Sequence, residues 1–538
     1  MSRFLYSLVA FWVLPVCLFA MPARQGALQL MQPDGTELTA FLHGDAFFHY
    51  YTNADGEMLQ RDDNGFYQAV AMPTQEEMTA RRNSNPRFIA KQQMIGGELN
   101  IAPRGVVILV NFSNLAFVTQ AARIDSMLNG QNFKRSYMDY SSGSRNRITS
   151  SGSVRQYFHD NSCGQYNPVF DVVGPVTLEH EYAYYGSNNA QGNDQNPGKM
   201  IKEACELVDD QVDFTLYDND KNGTVDFVYI IYAGYSEAEG AGEDYIWPHN
   251  YNLTYTGTNC RVDGKKVDAY ACSNELMYSS GMNLHTGVGT FCHEFSHVLG
   301  LPDLYATNRE THKTLGSWDI LDSGPYNNDG NTPPCYSAYE RFYMGWLTPT
   351  LINTACDAEL ASLDGSNQAV MLTSTGKHNL KGAAPAPTTF YILENRQQKG
   401  WDAYIPGHGM LVTRIKYSPT MWYMNTVNCL ETAMGVNLIE ADGLTPTYGQ
   451  SGYDGKQGDA YPKGSDSFTD IDVFQVTDIT ENGDIIYFKV NGGGERIVLA
   501  VDNTQQTGKP RTAKILRNGT ILIEHDGRFY NLSGALYK

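Results

Sequence analysis

Apolar and polar residues alternate in short stretches at both ends of this chain, while continuous apolar runs mark its middle. Near the start, QPDGTELTAFLHGDAFFHYYTNADGEMLQRDDNGFYQAVA alternates with period two between the turn signals PDG, ADG and DNG. That pattern predicts a small all-β unit of short hairpins within residues 21–101. From Thr74 to Gln93 the chain turns polar, with helical character and then a linker. RGVVILVNF (Arg104–Phe112) is a nearly continuous apolar run rich in β-branched residues, as expected of a strand buried on both faces. A second such run, FVYIIYAGY (Phe227–Tyr235), and a helix around His293 complete an α/β (α+β) unit over 102–355. Beyond 360, the runs AVMLTST, TFYILENR, GMLVTRIKY, GVNLIEADG and DIIYFKVNG predict a β-sandwich-like domain over 356–492. Residues 493–538 hold three short strand patterns joined by NG, DG and SG turns, too small a segment for a core of its own.

The first twenty residues, MSRFLYSLVAFWVLPVCLFA, place Arg3 before an almost wholly apolar stretch. This predicts a signal peptide at 1–20, cut near Ala20 or Ala23. A lipid anchor on Cys17 is the alternative, but Val16 is bulkier than the small residue such a site needs. No other run approaches 18 apolar residues, so no integral membrane span is expected in the mature chain. The expected location is extracellular, with cell-surface attachment as a variant. Acids outnumber bases 59 to 39, for a formal net charge of −20, which argues against nucleic acid as a partner. Of nine cysteines, eight remain without Cys17, and export permits disulfides. The first candidate pair is Cys260–Cys272, around the turn-rich RVDGKKVDAYA.

The candidate chemistry lies in FCHEFSHVLGLPDLY (Phe291–Tyr305). His293 and His297 are four apart, which on a helix puts both imidazoles on one face, about 40° apart around the axis. Two neutral imidazoles at that spacing can hold one Zn²⁺. Glu294, beside the first ligand, can act as general base on a water activated there. Gly300 allows a left-handed turn that ends the helix, and Pro302 stops it resuming. The chain can then return Asp303 as third ligand and leave a fourth position for water. Glu310 and Glu340 are alternative third ligands. Cys292, rotated about 100° from His293, reads as a packed thiol.

With that motif, the sequence resembles the immune-inhibitor-A-like secreted bacterial metalloproteases. The resemblance extends over most of residues 22–492. It includes GSVRQYFHDNS (Gly152–Ser162), FDVVGPVTL (Phe170–Leu178), GSWDILDSGPYN, TPPCYSAYERFYMGWL and GDAYPKGSDSFTD. It implies a metzincin-like zinc endopeptidase made as a precursor, with one catalytic zinc on His293, His297 and Asp303 and with Glu294 as base. Protein or peptide substrates follow from it. Related enzymes carry a methionine in a turn below the metal; here Leu321 holds the aligned position, a swap of similar volume that costs less than about 1.5 kcal/mol. Tyr326, just beyond, is either a loop aromatic or a contact for the transition-state oxyanion. If the N-terminal unit blocks the cleft, it must do so without a cysteine, since none lies between Cys17 and Cys163. The segment 493–538 resembles terminal sorting segments of exported bacterial proteins, with a stabilising hairpin as the alternative.

A second candidate site is YDNDKNGTVDF, where Asp218, Asp220, Asn222, Thr224 and Asp226 match the first half of an EF-hand-type loop. The closing glutamate is absent, since Tyr229 occupies its position. A Ca²⁺ ion here would be structural. The expected function is thus secreted zinc-dependent endopeptidase. The alternatives are a non-catalytic zinc-binding or adhesion protein that kept the fold, and a zinc hydrolase of cell-wall peptides.

Overall fold

The computed structural model describes residues 19–499, apart from 79–102 and short stretches at 47, 63, 75–76, 140–144, 190–191, 279–282, 309–310, 374–375, 471–473 and 498. It also describes the backbone of three strands between 512 and 530. Most of the signal-peptide segment, and most of the helix-and-linker stretch 74–93, lie outside the described residues.

The apolar run at Arg104–Asn111 is an inner strand of a six-stranded mixed sheet. It pairs in parallel with Val169–Thr177 on one side and with Val228–Tyr232 on the other. Beyond lie Ala269–Asn274, parallel, then His249–Asn252, antiparallel, and last the two-residue strand Phe19–Ala20. Both faces are covered, which explains the unbroken hydrophobicity of the inner strands. Val107, Leu109, Tyr229 and Ile231 face a core shared with the helices Ala121–Asn129, Val154–Asn161 and Gly289–Val298. Val106, Ile108, Val110 and Ile230 face the opposite core, built with helix Pro197–Val208. Successive residues of one strand therefore serve two cores, as the pleat requires.

One contact between neighbouring strands of this sheet is tight enough to forbid a methyl group. A Cβ built on Gly105 would lie 1.9 Å from Cζ of the buried Phe227 ring. Gly105→Ala is therefore expected to destabilise the fold by about 1–3 kcal/mol, read as a lowered denaturant midpoint with an unchanged slope.

The N-terminal hairpins form a five-stranded antiparallel meander, from Ala27–Met31 to Tyr67–Val70. Leu30, Ala40, Leu42, Tyr51 and Leu59 of this unit join the core on the helix Pro197–Val208 side. The C-terminal region forms two five-stranded sheets, one containing Thr389–Arg396 and Gly409–Lys416, the other Phe474–Asn482 and Ile485–Val490. Tyr391, Leu393, Met410 and Val412 point into the space between the two sheets. Phe390, Ile392, Leu411 and Ile415 point the other way, into the core that contains the His293 helix. One continuous core thus joins the α/β unit to the sandwich. The backbone between 512 and 530 forms three antiparallel strands.

Candidate metal centre and active-site cleft

Helix Gly289–Val298 is held from one side by aromatic rings. Phe291 stacks on Tyr229 with centroids 3.9 Å apart, and Phe295 meets Phe158, Phe170 and Phe227 edge-on. Residues two positions away lie about 200° around the axis, so His293 and His297 point away from those rings. Gly300, at φ +101°, turns the chain back, as its place in the sequence predicts. The turn carries the Leu301 carbonyl to 2.8 Å from His297 Nδ1, while the Ile320 carbonyl lies 2.7 Å from His293 Nδ1. A carbonyl can only accept, so both Nδ1 atoms carry their protons and both Nε2 atoms present lone pairs.

Those two Nε2 atoms are 3.0 Å apart. Asp303 Oδ1 stands 3.5 Å from that of His293 and 3.2 Å from that of His297. All three side chains are buried. Burial holds His297 down at about 4, the neutral form a ligand requires. Two lone pairs and a carboxylate oxygen aimed at one point repel one another unless a cation lies between them. Ligands about 2.0–2.2 Å from a tetrahedral zinc are spaced about 3.3–3.5 Å from each other, close to the spacing here. The residues present therefore fit a metal ion. Among the described residues this is the one His, Cys, Asp and Glu cluster of that kind.

Glu294 lies fully buried beside the cluster, and burial, reinforced by Asp303, pushes its carboxyl well above its ordinary value. Its Oε1 accepts the backbone N–H of Met21 at 2.9 Å, and Oε2 has no partner. Met21 belongs to a chain segment that runs through the cleft. Phe19 and Ala20 pair antiparallel with Asn250 and His249 of the sheet edge. Tyr305 Oη donates to the Ala20 carbonyl at 2.7 Å, Trp247 Nε1 to that of Met21 at 2.9 Å, and Tyr326 Oη to that of Pro22 at 2.7 Å. Ala20, Met21 and Ala23 are buried.

The four residues His293, Glu294, His297 and Asp303, picked out in the sequence, do come together, but their surroundings were not legible there. Tyr305, two residues after Asp303, holds the carbonyl next to Glu294, whereas Tyr326 binds two residues further along the segment. Leu321 is buried directly after Ile320, whose carbonyl orients His293, and its own N–H is fixed by Asp319 Oδ1 at 2.8 Å. Asn425 is the largest omission. It comes from the sandwich, 122 positions beyond Asp303. Its Nδ2 donates to Asp303 Oδ2 at 2.6 Å, and its Oδ1 accepts the Asp303 N–H at 2.8 Å. Asn428 supports the same turn by donating to the Leu304 carbonyl at 2.7 Å.

The other candidates lie elsewhere. Glu340 caps helix Ala338–Tyr343 through Ser337, away from the histidines, and Glu310 lies outside the described residues. Cys292 is a buried thiol, raised well above its ordinary range by burial. The pairing expected of Cys260 and Cys272 is not formed: the Cys260 thiol lies against Cys205 of helix Pro197–Val208, and Cys272 Sγ lies 3.5 Å from His249 Nδ1. In the loop of Asp218, Asp220, Asn222, Thr224 and Asp226, the three carboxylates do not form a cluster of the kind His293, His297 and Asp303 make. Lys265 Nζ sits on Asp218 Oδ2 at 2.6 Å, and Asp226 accepts the Asn219 N–H at 3.0 Å. Asn222 Oδ1 accepts from Thr224 N at 2.8 Å. A lysine ammonium thus neutralises the first carboxylate of the loop.

A buried histidine–histidine–aspartate centre with an adjacent glutamate, set beside the edge of a mixed sheet, defines a metallopeptidase-type site. The sequence comparisons agree: residues 99–346 match the family model described as "Immune inhibitor A peptidase M6, catalytic domain". The residues of the metal centre lie within that match. Among curated proteins, the chain is similar to the "Pre-pro-metalloprotease PrtV" of Vibrio cholerae, with 26% identity over 218 residues, 36% of this chain and 23% of that one. It is also similar to "Immune inhibitor A" of Bacillus thuringiensis subsp. alesti, with 26% identity over 223 residues, 36% of this chain and 31% of the relative. The aligned part spans less than a third of either relative. No helix among the described residues is long and apolar enough to cross a membrane.

The double contact of Asn425 with Asp303 leads to a measurable expectation. Asn425→Ala removes both hydrogen bonds and should weaken metal binding by about 10–100-fold, the usual effect of losing a partner that orients a ligand. Competition with a chromophoric chelator reads this directly.

Proposed function

We propose that the protein is an exported zinc-dependent endopeptidase acting on extracellular proteins or peptides, made with an N-terminal segment that occupies its own cleft. The observation that carries this reading is the course of residues 19–22. The segment follows the sheet edge in the extended, antiparallel manner open to any peptide, with the Ala20–Met21 bond beside Glu294. A substrate bond in that position would meet the same groups.

His293, His297 and Asp303 would hold a zinc ion, which would supply a Lewis acid and make the attacking water more acidic. Glu294 then accepts the proton of the attacking water. The same carboxyl lies 2.9 Å from a backbone nitrogen in the position of the leaving amine, so it can return the proton there as the bond breaks. Tyr305, donating to the carbonyl on the other side of that bond, can stabilise the oxyanion as it forms. Trp247 and Tyr326 fix the backbone on the leaving side. Burial of the whole arrangement keeps bulk water from competing for these hydrogen bonds.

Latency follows from the same contacts. The blocking group is backbone, in keeping with the lack of cysteine in this region. Cleavage of a signal peptide after Ala20 would turn the Met21 nitrogen into the chain terminus at Glu294. The name of the Vibrio relative, a pre-pro-metalloprotease, agrees with a leader followed by a pro-unit.

Casein hydrolysis with and without a chelator tests the peptidase reading. The protein should cut casein, lose that activity with the chelator and regain it on addition of zinc. Hydrolysis unaffected by removal of the metal would sink the mechanism. A zinc-loaded chain, freed of its N-terminal segment, that cuts nothing would favour a binding protein.

A further inference from the structure

The segment that runs through the cleft also shows which side chains the cleft accepts. With the Ala20–Met21 bond beside Glu294, residues 21 to 24 occupy the first four positions on the leaving-amine side. Arg24 is the fourth. Its N–H donates to the Ala238 carbonyl at 2.9 Å, which continues the extended docking of the segment. Its guanidinium Nη2 lies 2.6 Å from Asp329 Oδ1 and sits over the Tyr326 ring, 5.9 Å from the centroid. Arg24 remains only 23% exposed at the side chain, and Asp329 12%.

The receiving pocket belongs to the α/β unit and exists independently of Arg24. Tyr137 Oη donates to Asp329 Oδ2 at 2.7 Å, which holds that carboxylate in place. A second acid, Glu239, is buried and fixed by the Tyr278 N–H at 2.7 Å. It directly follows Ala238, whose carbonyl accepts the Arg24 N–H, so its charge lies beside the basic side chain. The buried Arg135, stacked on Tyr137 at 4.7 Å, acts on Asp329 as well, whereas Glu239 is balanced by Arg24. When Arg24 leaves, these carboxylates lose a cation that another basic side chain would replace. Partly buried carboxylates with an aromatic wall suit an arginine side chain above all, since its planar guanidinium can pair and stack at once.

We infer that Glu239 and Asp329 form a subsite for a basic side chain, so that the protein prefers peptide substrates with arginine or lysine at the fourth residue on the leaving-amine side of the cleaved bond. The inference rests on the peptidase reading and goes beyond it, because that reading specifies no side-chain preference.

The test uses the zinc-loaded full chain, incubated until its casein activity is constant. Matched peptides that differ only by arginine, lysine, glutamine or glutamate at the fourth position are compared by kcat/KM. The arginine peptide should exceed the glutamine peptide by about fivefold, the factor expected of one partly buried ion pair, with glutamate poorest. Asp329→Asn keeps an acceptor for Tyr137 and tolerates the positive φ of 56°, and it should bring the ratio towards one. Glu239→Gln, which keeps an acceptor for the Tyr278 N–H, serves as the second variant should the first fail to fold. Casein hydrolysis with no basic preference at this position overturns the subsite and leaves the peptidase reading standing. A preference that survives both substitutions also overturns it. A zinc-loaded chain that cuts neither casein nor any peptide overturns both.

Discussion

Glu294→Gln is expected to lower peptide-bond hydrolysis by about 10²–10⁴-fold, the range for loss of a positioned general acid–base group, with the metal still bound. The substitution keeps the size of the side chain and removes its basicity. The metal should be retained because its ligands do not depend on Glu294: the two imidazoles are oriented by the Ile320 and Leu301 carbonyls, and Asp303 by Asn425. Burial and the nearby Asp303 charge already push the Glu294 carboxyl well up, which favours a group that takes a proton and gives it back within one turnover. Two measurements make the check: the initial rate on a quenched peptide, and zinc content after dialysis. A variant that keeps its full rate would remove Glu294 from the mechanism. A variant that loses zinc would show that its role is structural.

The second large effect is expected from the opposite kind of change, joining the leader directly to Gln25 so that residues 21–24 are absent. In the intact chain, four hydrogen bonds or ion pairs to cleft side chains hold this segment, Met21 to Glu294, Trp247 to Met21, Tyr326 to Pro22, and Arg24 to Asp329, alongside the backbone bonds of Ala23 to Gly44 and of Arg24 to Ala238. At about 0.5–1.5 kcal/mol net for each of the four, the closed state is favoured by about 2–6 kcal/mol. The cleft would then be open in fewer than about one molecule in thirty. The shortened precursor should therefore hydrolyse casein at least about 30-fold faster at the first time point. Intact mass must confirm that the longer chain still carries residues 21–24. Equal rates with the segment present would mean that it does not gate the cleft.

Chemistry set by neighbours in the chain was legible in the sequence. The four-residue spacing of His293 and His297, the left-handed turn at Gly300 and the return of Asp303 all follow from helix geometry and from the torsional freedom of glycine. So does the doubly buried strand at Arg104–Asn111, whose unbroken apolar run needs two cores. The period-two stretches in the N-terminal and C-terminal regions likewise correspond to antiparallel sheets, since alternation reports which face of a strand is buried. The calcium-like loop shows the limit of such reasoning. Its oxygen spacing is visible in the sequence, but the Lys265 ammonium that occupies Asp218 comes from a strand 47 positions away.

The sequence by itself determined that His293, Glu294, His297 and Asp303 come together, and the strand-rich frame around them, because each depends on contacts within a turn or two of chain. Only the tertiary structure decided what surrounds that centre. Asn425 reaches Asp303 across 122 positions, Met21 reaches Glu294 across 273, and Tyr305 reaches Ala20 across 285. No local period encodes such pairs. They exist because one continuous core packs the sandwich against the His293 helix, and because the sheet edge at His249–Asn252 leaves backbone groups that an extended segment can satisfy.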